Sequence, residues 1–136
     1  MDQPGTSSPL NLTGEWHGLY SYPVAMPSVS FVATLSDQGG WFDGTTEEIG
    51  SVGDAAGRTL TASLQGRRSG CSITMLKIYH RASVHYDSVR YAGDLNEDGS
   101  EIHGTWRVAG NWSGTFLMIR QRAVATVLSR EAEERT

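Results

Sequence analysis

YAGDLNEDGSEIHGTW, Tyr91 to Trp106, sets a glycine in the middle of each of two candidate strands, Gly93 and Gly104. A mid-strand glycine costs backbone entropy and packs nothing, so it weakens a flat sheet. The same device recurs at TGEW, DGTT and SGTF. A sheet that coils until it closes needs such residues at its bends. A two-residue type I′ turn at Asp98-Gly99 makes Gly93 face Gly104 and Tyr91 face Trp106. A like turn at Gln38-Gly39 pairs Ala33 with Gly44, Phe31 with Thr46 and Val29 with Glu48. A tight turn at Arg68-Ser69 sets Gly66 against Cys71.

Working outward, eight short β-rich segments appear: 12–22, 29–36, 41–49, 59–66, 71–80, 88–96, 101–109 and 112–121. Turn signals such as DQGG, RRSG, EDGS and AGN separate most of them. The links are short, which argues antiparallel neighbours in a meander and against the long crossovers of a Greek-key sandwich. Closure also removes sheet edges that invite aggregation. The expected fold is all-β, an eight-stranded antiparallel up-and-down barrel over 12–122. A flexible lead (1–11) precedes it, and a short C-terminal helix with a polar tail (123–136) follows. In that helix Val124, Val127 and Leu128 share one face.

Period-two alternation divides each strand into a lumen set and an outer set. The lumen set is Trp16, Gly18, Tyr20, Tyr22; Val29, Phe31, Ala33, Leu35; Phe42, Gly44, Thr46, Glu48; and Leu60, Ala62, Leu64. It continues with Ile73, Met75, Lys77, Tyr79; Val89, Tyr91, Gly93, Leu95; and Ile102, Gly104, Trp106, Val108. On the last strand a three-residue turn puts Phe116, Met118 and Arg120 inside. A Gly110-Asn111 turn would instead put Thr115, Leu117 and Ile119 there.

Composition narrows the function. The chain has 136 residues, 38% of them apolar, and a net charge of −4 without a Lys/Arg stripe, so nucleic acid is a poor partner. Arg67-Arg68 reads as a solvated hairpin tip. One cysteine, Cys71, excludes an internal disulfide and a cysteine metal cluster. His17, His80, His85 and His103 show no metal-ligand spacing. No metal or other cofactor is expected. No apolar run is long enough for a membrane helix, and the N-terminus lacks a signal-peptide pattern, so the expectation is a cytoplasmic protein without a membrane partner.

LTGEWHGLYSYP, DQGGWFDGTTEE and IHGTW together resemble the calycin superfamily, the avidin- and lipocalin-like barrels. The resemblance spans about residues 12–122. It implies a structural signature of Gly14 and Trp16 on the first strand, closed by Arg120 on the last. Carried over residue by residue, the avidin biotin set is incomplete. Its strand-three tyrosine and serine fall on Thr46 and Glu48, its tryptophan falls on Trp106, and its final-strand aspartate has no counterpart.

With strand one running up from Trp16, the mouth gathers Tyr20, Tyr22, Glu48, Lys77, Tyr79, Tyr91 and Trp106, with Phe31 and Thr46 beside them. The floor is apolar. Convergent polar groups over an apolar floor are the usual make-up of a small-molecule site. The expected ligand is a small hydrophobic or amphipathic molecule with a polar end. Alternatively, Glu48 and Lys77 form the catalytic pair of a cyclase or isomerase acting on a polyene or polyketide-like substrate. A third reading is an interaction module whose filled barrel holds no ligand. PVAMPS (23–28) and GSVGDAAGR (50–58) stand at the mouth, as covers for ligand entry or, equally, as plain linkers. Leu19, Val32, Leu76, Ile78, Leu117 and Ile119 face outward, which suggests a surface covered by the C-terminal helix or by a homodimer.

Overall fold

A computed structural model describes residues 11–23, 25–49, 57–80, 88–108 and 112–120. The expected C-terminal helix, most of the lead and of the 50–58 cover, and His85 lie outside the described residues. Eight strands run in chain order: β1 (Gly14–Ser21), β2 (Val29–Gln38), β3 (Trp41–Ile49), β4 (Thr59–Ser69), β5 (Ser72–Tyr79), β6 (Val89–Leu95), β7 (Glu101–Arg107) and β8 (Ser113–Arg120). Each pairs antiparallel with the next, and β8 pairs back onto β1, closing the barrel. The expected meander is therefore the observed one.

The lumen set inferred from alternation is the set found inside, buried or half-buried on every strand. On β8 the inner residues are Phe116, Met118 and Arg120. Val108 N–H donates to the Trp112 carbonyl (3.0 Å), in the register of the three-residue turn. Outside, Leu19, Val32 and Ile78 are exposed, whereas Leu76, Leu117 and Ile119 are half-buried.

The opening glycines pair as expected: Gly93 faces Gly104 and Tyr91 faces Trp106. A Cβ on Gly104 would overlap the Ala92 carbonyl oxygen, and one on Gly93 would overlap that of His103. Backbones this close tolerate only glycine, and the sheet coils tightly there. The turn between them is held by Asn96, whose carbonyl accepts from Gly99 N–H at 3.1 Å.

Two other registers differ from expectation. The β2–β3 turn is Gly39-Gly40, not Gln38-Gly39, because both glycines adopt positive φ (+68° and +97°) and so take the two central positions. The pairs become Ala33 with Thr46, Phe31 with Glu48 and Leu35 with Gly44. Gly44 thus makes room for Leu35 rather than meeting a second small residue. The β4–β5 turn is Gly70-Cys71, with Gly70 at φ +61°, so Gly66 faces Met75 instead of Cys71. Slips of two and four residues keep inside and outside unchanged.

The floor is apolar and tightly tied. Leu12, Trp16, Leu35, Leu64, Ile73, Leu95, Ile102 and Met118 are buried there. Trp16 donates from Nε1 to the Leu12 carbonyl (2.9 Å), and the Arg120 guanidinium stacks 4.5 Å from its ring centroid. Trp16 of β1 and Arg120 of β8 therefore meet at the floor, where the two strands pair.

Asp37, unnoticed in the sequence, locks the same end. Its Oδ2 accepts from Leu12 N–H (2.9 Å) and Arg68 Nε (3.0 Å), and its Oδ1 from Gly40 N–H (2.9 Å). Arg68 is consequently not a solvated tip: its side chain is 15% exposed in the ion pair. Arg67 lies against Trp41, 5.0 Å from the ring centroid. Burial opposes ionisation of Asp37, but the Arg68 contact and the two backbone donors prevail and hold its carboxyl below the usual range.

Candidate functional site

Lumen positions toward the other end carry a different chemistry. Glu48 lies next to the end of β3 and Lys77 near the end of β5, separated by β4. Their shared parity aims both inward, and Lys77 Nζ meets Glu48 Oε1 at 2.6 Å. Each side chain is 1% exposed. The Glu48 carboxylate also accepts from the Tyr20 hydroxyl on Oε2 (2.6 Å) and the Tyr79 hydroxyl on Oε1 (3.0 Å). Lys77 makes a second, longer bond to the Tyr91 hydroxyl (3.3 Å).

Four rings surround the ammonium. Its Nζ lies 4.7 Å from the centroid of Tyr79, 5.0 Å from Tyr20, 5.2 Å from Phe31 and 5.8 Å from Tyr91. Electron-rich ring faces offset part of the ammonium's lost hydration. Burial pushes Lys77 below the ordinary lysine value, an effect the Glu48 charge partly opposes. Burial, with the Glu48 charge adding to it, raises the Tyr20 and Tyr91 hydroxyls well above the ordinary phenol range, and Tyr79 likewise. The hydroxyls are therefore firm donors at neutral pH.

Nearer the mouth, Tyr22 and Tyr79 are half-buried against this cluster. Tyr22 packs edge-on to Trp106, with centroids 5.7 Å apart, and also meets Trp112 at 5.9 Å. Trp106 reaches across β8 over Gly114 and donates from Nε1 to the Ser21 carbonyl (2.9 Å), which fixes its plane. Thr46 sits in the lumen two residues before Glu48, 1% exposed, and its Oγ1 has no hydrogen-bond partner among the described residues.

The structure thus brings Glu48, Lys77, Tyr20, Tyr79 and Tyr91 into one bonded cluster, with the Phe31 ring against the ammonium. Tyr22 and Trp106 form an aromatic collar above it, and Thr46 lies lower on the wall. Trp112 belongs to the collar and was missed, although the inward parity of Phe116, Met118 and Arg120, carried back along the expected 112–121 segment, falls on it. A groove of about 1020 Å³ crosses the outer wall, lined by Trp41, Arg67, Arg90 and Arg107 among others. Its lining shares only Tyr91 with the cluster, so the concentrated chemistry belongs to the lumen.

Fold and site together define a closed eight-stranded antiparallel β-barrel with an apolar floor and a charged, aromatic-lined upper lumen. No family model and no curated protein matches the chain. Among solved structures it is similar to a redesigned β-barrel, at 13% identity over 81% of this chain and 91% of that one, with a TM-score of 0.64. At that identity the likeness shows the fold alone.

Proposed function

We propose that the barrel is a calycin-like binder of a small, largely apolar molecule with a polar end, held at the mouth. The observation that carries this reading is the asymmetry of the lumen. One end is filled with apolar side chains, while the other spends lumen volume on a buried Lys77–Glu48 pair. Replacing a buried ion pair by apolar residues is commonly neutral or stabilising, so stability alone does not account for it. Tyr22, Tyr79, Trp106 and Trp112 would embrace the ligand's flat body. Its polar end would meet the Tyr79 hydroxyl and the one proton of Lys77 left over from Glu48 and Tyr91.

Binding is favoured over proton-abstracting catalysis by the state of Glu48. Three donors already occupy its carboxylate. A base so engaged must break bonds before it can take a substrate proton, whereas the same network suits the holding of a fixed polar group.

Titration of the purified protein with 2-naphthalenemethanol, a flat apolar body with one hydroxyl, tests the reading. Saturable, stoichiometric quenching of tryptophan fluorescence is expected, weakened at least about tenfold in a Lys77→Met/Glu48→Gln double variant. Native mass spectrometry of gently purified protein would then show any molecule carried from the cell. Absence of saturable quenching, with an unchanged melting temperature, would reject the pocket in favour of a filled module.

A further inference from the structure

Of the eleven basic Lys and Arg residues in this chain, ten are arginine. The one lysine, Lys77, is buried in the lumen against Glu48. Arginine is the usual choice for a buried pair with a carboxylate, because its fork binds bidentately and it stays charged. A chain that uses arginine everywhere else has placed its single primary side-chain amine where arginine would be the expected residue. What lysine offers and arginine does not is a nitrogen that can lose its proton and form a covalent bond.

We propose that Lys77 forms an imine with an apolar aldehyde entering through the mouth, with Glu48 as counter-ion of the resulting cation. This rests on the binding reading above and names its ligand class. The bonds balance without any oxidant or reductant. Glu48 Oε1, 2.6 Å from Nζ, takes the ammonium proton, and the freed amine attacks the carbonyl carbon. The carbonyl oxygen gains that proton and a second one from nitrogen, its bond to carbon breaks, and it leaves as water. Ammonium plus aldehyde becomes protonated imine plus water.

Net charge is the same before and after, so the Glu48 pairing survives the reaction. The rings of Tyr20, Phe31, Tyr79 and Tyr91 that face the ammonium would face the imine cation equally. Burial also favours the step, since it lowers the proton affinity of Lys77 and keeps out the water that would hydrolyse the product. Tyr79, half-buried and 4.7 Å from Nζ, leaves the amine one side chain from the mouth.

The test treats the full-length protein at pH 7 with 2-naphthaldehyde and sodium cyanoborohydride, followed by intact mass and peptide mapping. An ordinary lysine (pKa about 10.4) holds roughly 400-fold less free amine at pH 7 than an α-amino group (pKa about 7.8), and labels correspondingly more slowly. The expected result is one naphthylmethyl group on Lys77, gained at least as fast as at the amino terminus. Urea-unfolded protein should lose that preference, and so should Lys77→Arg, which keeps the cation paired. Saturable binding of 2-naphthalenemethanol without labelling of Lys77 overturns the imine and leaves the pocket standing. Failure of both overturns both.

Discussion

Removing either partner of the Lys77–Glu48 pair should cost far more than removing both. In Lys77→Met a carboxylate remains in a lumen position 1% exposed and must take up a proton or lie unpaired. Protonating a group with solution pKa near 4.3 at pH 7 costs roughly 3.7 kcal/mol, which caps the loss at about that value. In Glu48→Gln the stranded ammonium can shed its proton instead, capped at roughly 4.6 kcal/mol from a solution pKa near 10.4. The double variant strands neither charge, and the introduced amide oxygen still accepts from Tyr20. Its loss should stay within about 2 kcal/mol, so the coupling energy reaches about 6 kcal/mol when both single losses stand at their caps.

The two single variants also differ in their pH dependence. The native state of Lys77→Met holds a proton that the unfolded chain has released above pH about 4.3, so its deficit grows as pH rises. Native Glu48→Gln lacks a proton that the unfolded chain keeps, so its deficit shrinks as pH rises toward about 10.4. Urea unfolding followed by tryptophan fluorescence at pH 5, 7 and 9 reads both effects. Additive losses within about 0.5 kcal/mol, or parallel pH slopes, would refute the account of the lumen as a tightly coupled charge pair.

The raised Tyr20, Tyr79 and Tyr91 hydroxyls keep their protons in the native state while the unfolded chain loses them above pH about 10. Stability should be intact below that point and fall above it by roughly 4.1 kcal/mol per pH unit for the three together, seen as a collapsing urea midpoint between pH 10 and 11. Asp37 ionises more readily in the native protein than unfolded, so its contribution should persist above pH about 3.8 and fade below it, a fade that Asp37→Asn removes from the acid unfolding curve. Trp16→Phe deletes the Nε1 bond to Leu12 and leaves a buried carbonyl without that donor, so a loss of about 1–3 kcal/mol is expected by chemical denaturation. Gly104→Ala forces a methyl onto the Ala92 carbonyl and should lower the melting temperature sharply or prevent folding, as circular dichroism would show.

Much of the barrel was legible because alternation is a local signal. Glu48 and Lys77 were assigned to one lumen from parity alone, and an even-numbered register error cannot change that. The Trp16–Arg120 contact was legible in part, since parity on the first and last strands turns both side chains into the lumen. Absolute register was harder, because GG in DQGG and SG in RRSG each allow two turn placements and only the twist of the flanking strands selects one. Asp37 and Arg68 escaped for another reason: their meaning comes from a meeting of residues 12, 37, 40 and 68 that no short window displays. The exclusive use of arginine elsewhere was present in the composition, but it acquires force only once Lys77 is seen to be buried.

The Asp37 carboxylate gathers the chain's opening, the β2–β3 turn and the end of β4. It can assemble only after four strands have found their places, so it acts as a clasp fastened late. Loss of the clasp should hasten unfolding while barely slowing refolding, giving a chevron that shifts on one arm. Breathing of the tube would accordingly start at the rim opposite, beside the Tyr22–Trp106–Trp112 collar.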